Sequence, residues 1–281
     1  MQGVTSNAHG AGSNRVTVWQ SSYVNQSDPN NTLHNCDAVV LGVGTSSIGS
    51  TDFKAYNIDF VQRQFFAGEE VTDRQLGPAA ALCVERSNAS FYGCAFASYQ
   101  DTLYVSPDSQ AFFLGGVVKG MTDQLYGMGT AWFERVQLLS RACGGGITAW
   151  RGDPASPSKG VYISNSSIEK ADDAPEGKDL EGKCHLGRPW NKYAHATYLN
   201  TAMSDIIAPE GFKMWNAEQT NFEEGLTRFA EYKSSGPGAD PSGRNMTLER
   251  ILSDEEASKI TWTNVFGGSA PWIDTKTVHS W

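Results

Sequence analysis

Short apolar runs recur along this chain at a nearly fixed interval, and that interval limits the folds open to it. Phe91 and Phe113 lie 22 residues apart, and Phe133 follows 20 residues later. Asp101 and Asp123 repeat the 22-residue step. A period in the twenties suits a solenoid built from one coil per repeat. The runs include Ala38–Leu41, Ala55–Phe60, Ala80–Val84, Ser90–Phe96, Ala111–Val118, Ala131–Val136, Gly160–Ser164 and Ala196–Leu199. Several alternate apolar and polar residues, as half-buried strands do, and Gly, Asn, Asp and Ser fill the gaps. No segment before residue 200 keeps a helical period, which argues against βαβ units. A β-sandwich also has many short strands; the spacing favours the solenoid.

In a parallel β-solenoid, residues one coil apart sit on neighbouring strands, about 4.8 Å from each other. Asp101 and Asp123 would then be stacked. Two carboxylates this close do not readily both ionise, so one keeps its proton. The result is an acid beside a base or nucleophile, as a hydrolase requires.

Composition narrows the partners. The formal net charge is −9, with 31 acidic and 22 basic residues, so a nucleic-acid partner is not expected. No apolar stretch is long enough for a transmembrane helix. The cysteines are Cys36, Cys83, Cys94, Cys143 and Cys184, with no Cys-x-x-Cys pair. They read as small buried hydrophobes, and their odd number rules out complete internal pairing. The histidines His9, His34, His185, His195 and His279 show no metal-ligand spacing and read as structural or exposed. No metal or other cofactor is expected. Asn-x-Ser/Thr sequons at Asn25, Asn30, Asn88, Asn165 and Asn245 hint at a secreted glycoprotein. The N-terminus does not read as a signal peptide. Pro154–Lys159 and Asp172–Lys183 read as projecting loops, and Ser253-Asp254-Glu255-Glu256 as a capping box opening a short helix. Residues 1–281 read as one domain, with a tail from about residue 217 packing back over the coils.

Two segments are specific enough to point to a family. Tyr99-Gln100-Asp101-Thr102-Leu103-Tyr104 and Leu186-Gly187-Arg188-Pro189-Trp190 resemble signature segments of pectin methylesterases, of fungal type. Gly120-Met121-Thr122-Asp123-Gln124-Leu125-Tyr126-Gly127 is similar to the segment carrying that family's second aspartate. Glu231-Tyr232 and Gly236-Pro237-Gly238-Ala239 also fit. The resemblance implies a right-handed, single-stranded parallel β-helix. It also implies cofactor-free hydrolysis of galacturonate methyl esters by a secreted monomer acting on pectin. Asp123 would be the nucleophile and Asp101 the general acid, then base. Arg188 would hold Asp123 ionised and oriented, and Gln100 would donate to the oxyanion. Trp190, Tyr126 and Trp150 would contact the sugars. The net negative charge favours neutral, highly methylated stretches as substrate.

The chain also departs from the family pattern. Pro78 stands where a second oxyanion glutamine is usual; Gln75 lies in the preceding turn, but nothing in the sequence shows that it reaches the site. Gln124 replaces an aromatic residue, and Trp150 stands where an amide is common. The family's N-terminal Gly-x-Tyr-x-Glu region is missing, so the chain reads as N-terminally truncated, its first coil uncapped. These changes keep a second reading open, a pectin-binding relative with little or no turnover. A third is a retaining glycosidase, which also uses two carboxyl groups about 5 Å apart.

Overall fold

The recurring runs prove to be corners as well as strands. The computed structural model describes residues 14 and 16–280. Ser90–Phe96 spans two strands, Asn88–Tyr92 and Ala95–Ala97, joined through Gly93 and Cys94. Ala111–Val118 divides in the same way into Gln110–Leu114 and Val117–Gly120. Gly93, Gly115, Arg135, Asn165, Asn200 and Lys233 each take a left-handed backbone at this corner, as does Asn57 in an earlier coil. Glycine and asparagine bear that conformation at least cost. Each corner amide from Asn57 to Asn200 donates to a carbonyl of the next coil, so the turns form their own ladder.

Each full coil feeds three parallel sheets, of eight, seven and six strands. An antiparallel pair, Phe65–Phe66 with Glu69–Glu70, lies outside them. In the eight-stranded sheet Phe91, Phe113 and Phe133 are register partners, as their spacing required. Their rings stack at centroid separations of 5.0 and 4.3 Å. Fully burying a phenylalanine is worth about 1.5–3 kcal/mol, so this column is a main source of stability. The chain is a parallel β-helix.

The other face of the eight-stranded sheet is also apolar. Phe112, Trp132 and Tyr162 lie side by side there, covered by Leu252, Ala257, Phe266, Trp272 and Ile273. That cover includes the short helices Asp254–Ser258 and Trp262–Val265. The first carries the expected capping box, with Ser253 Oγ accepting from Glu256 N and Glu256 accepting from Ser253 N.

Arg244 holds the last coils together. Its Nε donates to Glu231 at 2.5 Å and its Nη2 to the Gly238 carbonyl at 2.7 Å. This unites the Glu231-Tyr232 and Gly236–Ala239 segments. Glu249 lies 3.9 Å from the same Nε, and burial, then the Glu231 charge, push its carboxyl up to about 9. One guanidinium therefore balances one carboxylate, and the second carboxyl stays protonated at neutral pH. Arg244→Ala would strand a buried charge. We expect it to lower unfolding free energy by about 3–5 kcal/mol in a urea melt, whereas Glu249→Gln, which keeps the neutral form, should be mild.

Cys83 corrects the reading of the cysteines. It belongs to the row Gly42, Cys83, Tyr104, Tyr126, Ala149, Arg188 across the six-stranded sheet. It forms a disulfide with Cys36, and Cys143 pairs with Cys184. Cys94 is free and buried, in keeping with the odd count. Pairs 47 and 41 residues apart are set by coil register, which spacing alone does not reveal.

Candidate active site

The row that carries Cys83 also forms the wall of a cleft. The Tyr104 and Tyr126 rings lie tilted with centroids 4.9 Å apart, and the Trp190 ring lies 6.3 Å from that of Tyr126. These three, with Val24, Leu33, His34, Asn35 and Glu85, line a recess of about 540 Å³. Inward rows of the same sheet hold Leu82, Leu103 and Leu125, all fully buried. Strand alternation thus places apolar packing and the cleft on opposite faces of the same short strands.

Trp150 is corrected on the same ground. It is register partner to Gly127 and Pro189, one residue beyond the outward row. Its side chain has no exposed surface, and its Nε1 donates to the Gly129 carbonyl. It is a core residue and does not face the cleft. Gln124 is also turned inward, its amide nitrogen donating to Ser140 Oγ at 2.9 Å. Pro78 is buried, and its carbonyl accepts from Val24 N. Gln75 is exposed and bonded to Asp73, so it does not replace the missing donor. Of the histidines, His195 is packed against Tyr162, and burial pushes it down to about 4. His185 lies near Glu210, and His9 lies outside the described residues.

Asp101 and Asp123 sit at the turn leading into the six-stranded sheet, one coil apart. Gln100 and Thr122 bridge there, and Asp101 N donates to the Thr122 carbonyl. Both aspartates have left-handed backbones, with φ of 60° and 48°. Backbone strain of this kind collects at functional sites.

Arg188 reaches Asp123 with two parallel bonds, Nε to Oδ1 at 3.0 Å and Nη2 to Oδ2 at 2.6 Å. Its register partner Ala149 is small, which leaves the long side chain a path across the intervening strand. The guanidinium also lies 3.7 Å from the Trp215 ring centroid, a stacking partner that the motifs do not signal. Gly146 N donates to Asp123 Oδ1 at 3.2 Å. A Cβ on neighbouring Gly145 would come within 2.5 Å of that oxygen and 2.6 Å of the guanidinium, so the position requires glycine. The Cys143–Cys184 disulfide fixes the start of this glycine loop.

Asp101 has a different environment. Burial, then the charge of Asp123, push its carboxyl up to about 7. Asn35, Arg188 and Gln100 oppose that rise. Asn35 comes from a segment 66 residues away, and its Nδ2 donates to Asp101 Oδ2 at 2.7 Å. The structure therefore brings together Asp101, Asp123, Arg188, Gln100, Tyr126 and Trp190, leaves out Trp150, and adds Asn35, Tyr104 and Trp215. Among the described residues no cluster of three or more metal-ligating side chains occurs, and no helix is long and apolar enough to cross a membrane.

Known proteins resemble this chain in sequence and in fold. The family model Pectinesterase matches residues 34–269. The chain is 32% identical to "Probable pectinesterase A" of Neosartorya fischeri over 233 residues, 82% of this chain and 63% of that protein. It is 31% identical to "Pectinesterase 3" of Citrus sinensis over 248 residues, 84% of this chain and 41% of that protein. The chain thus spans less than two thirds of the length of these curated relatives. The crystal structure of the pectin methylesterase from Aspergillus niger superposes with a TM-score of 0.74 at 26% identity, covering 98% of this chain and 80% of that one. Carrot pectin methylesterase gives a TM-score of 0.75 at 23% identity, covering 94% and 76%, a likeness of fold. On the match across residues 34–269, this chain belongs to the pectinesterase family.

Proposed function

We propose that this chain hydrolyses the C6 methyl esters of galacturonate units in pectin, releasing methanol and leaving free carboxylates. One observation carries the reading: Asp123, clamped by Arg188 through two bonds, lies one coil from a half-buried Asp101 that holds its proton to about pH 7. The pair divides into a charge-balanced nucleophile and an acid.

Among the described residues, Asp123 Oδ1 accepts from two N–H groups, whereas Oδ2 accepts from Arg188 alone. Oδ2 therefore keeps a lone pair for attack on the ester carbonyl. The carbonyl oxygen becomes an oxyanion, to which the Gln100 amide donates. Collapse breaks the bond to methoxide, which takes the proton of Asp101 and departs as methanol. Asp101, now ionised, removes a proton from water, the hydroxide attacks C6, and Asp123 leaves. Ester and water give acid and methanol, with Asp101 reprotonated at the end. Tyr104, Tyr126 and Trp190 offer apolar faces on which sugar C–H faces and the ester methyl can pack.

The two disulfides and the sequons support an oxidising, extracellular setting. All the groups in this scheme come from one chain, which supports action as a monomer.

The test is loss of methoxyl signal from highly methylated homogalacturonan by proton NMR, without chain shortening. The pH profile is part of it. The free enzyme needs Asp101 protonated for the first step, so kcat/KM should fall as pH rises through about 7. A constant rate to pH 9, or chain cleavage without methoxyl loss, would contradict the reading.

A further inference from the structure

Asn35 stands in the catalytic cleft on a strap remote from every motif that marks the site. Its Nδ2 makes two bonds, to Asp101 Oδ2 at 2.7 Å and to the Tyr126 hydroxyl oxygen at 3.1 Å. Both of its donor hydrogens are therefore spent on groups at the reaction centre. The next residue, Cys36, is tied by a disulfide to Cys83 in the strand Ala80–Val84. That strand pairs with Leu103–Val105, the strand into which Asp101 leads. The strap is thus anchored one strand from the carboxyl it touches.

A carboxyl oxygen that already accepts an N–H is a poor place for a proton, because the hydroxyl oxygen of a neutral carboxyl is a weaker acceptor than its carbonyl oxygen. With Asn35 on Oδ2, the proton of neutral Asp101 belongs on Oδ1. We propose that Asn35 is the positioning residue for the acid–base carboxyl: it holds Asp101 Oδ2 so that the transferable proton rides on Oδ1, and the Cys36–Cys83 disulfide keeps the strap in place. The inference rests on the reading of Asp101 as acid and base. In the first half-reaction the Oδ1 proton passes to methoxide, and in the second a proton from water returns to the same oxygen. Asn35 gains and loses no proton; it decides where the proton sits and supports the carboxylate formed between the two steps.

The surroundings of Asp101 are consistent with this division. Asp123 and Tyr126 face it from the next coil, Arg188 from three strands along, and Gln100 from its own turn. Asp123 raises its carboxyl, whereas Asn35, Arg188 and Gln100 lower it. Asn35 is the partner of Asp101 that an unlinked strap would lose.

The test compares wild type with Asn35→Ala, Asn35→Asp and the Cys36→Ser/Cys83→Ser double variant, using methanol release from highly methylated pectin. Asn35→Ala should lose about tenfold or more in kcat with KM within about twofold, because a donor to a charged group typically contributes that much. The descending limb of its kcat/KM profile should move to higher pH, since the carboxylate has lost a donor. Asn35→Asp is nearly isosteric, keeps the strap's shape and presents only acceptors, so its limb should move further. The disulfide variant should shift the limb in the same direction by less. Should Asn35→Ala fail to fold, the isosteric variant carries the test. Wild-type kcat and an unmoved limb in the folded Asn35 variants would overturn the inference. If Asp101→Asn is inactive in the same assay, that failure would leave the acid–base reading standing; if Asp101→Asn remains active, the reading itself falls.

Discussion

Asp123→Asn should lower turnover by at least about 10³-fold while leaving the β-helix intact, a scale typical of removing a nucleophile. The asparagine oxygen can still accept from Gly146 N and Arg188 Nε, the bonds now made to Oδ1. Its NH₂ group would instead face Arg188 Nη2, placing donor against donor where Oδ2 now accepts at 2.6 Å. The nucleophilic oxygen and the negative charge go together. Asp101→Asn should be as damaging, because methoxide then departs unprotonated. The double variant should be little worse than either single one, since the two residues act as one unit. Far-UV circular dichroism and methanol release on the same preparations check these outcomes. A single variant retaining more than about a tenth of the rate would remove that residue from the mechanism.

Asp101→Asn carries a second consequence, of opposite sign. The folded protein raises the Asp101 carboxyl above its ordinary value, to about 7. The stability associated with that proton is fully present below about pH 4 and lost as pH rises through 7. Asparagine does not titrate, so the variant should melt a few degrees higher than wild type at pH 8 and show little difference at pH 4.

Arg188→Lys should cost about 10²-fold in kcat. Lysine keeps the charge but has neither the planar fork that meets both Asp123 oxygens nor the flat face that lies 3.7 Å from the Trp215 ring centroid. An ammonium on a flexible stem can approach one oxygen, and the carboxylate then turns away from its attacking geometry. Methanol release at saturating substrate separates this loss from a change in KM. Near-normal turnover would show that charge alone suffices and that the two-bond clamp is not used.

The repeat carried most of what the sequence could reveal. Phe91, Phe113 and Phe133 stack because a solenoid converts a 20–22-residue spacing into adjacency. The same conversion brings Asp101 beside Asp123. What stayed hidden depends on longer reach or on side-chain direction. Asn35 meets Asp101 across 66 residues, through a strap positioned by a disulfide, and no local pattern encodes that meeting. Trp215 stacks on Arg188 from a loop whose position follows from the coils beneath it. Trp150 differs from outward-facing Ala149 by a single step along the strand, and one step reverses the face. Cys83 resembles a packing residue in the sequence for the same reason, although its row faces the strap and not the core. The corners were hidden because apolar residues continue through them, with a left-handed residue, glycine or asparagine at most of them, to mark the bend.

Central to the proposed function is a nucleophilic Asp123 that opens a methyl ester of pectin. The most direct measurement is methanol released from highly methylated pectin by the purified chain and by Asp123→Asn, at matched folded concentration, with reducing ends counted in the same samples. Steady methanol release by the wild-type chain, near-background release by the variant and no new reducing ends are the predicted result. Equal methanol release by the two proteins, or reducing ends in place of methanol, would contradict the account.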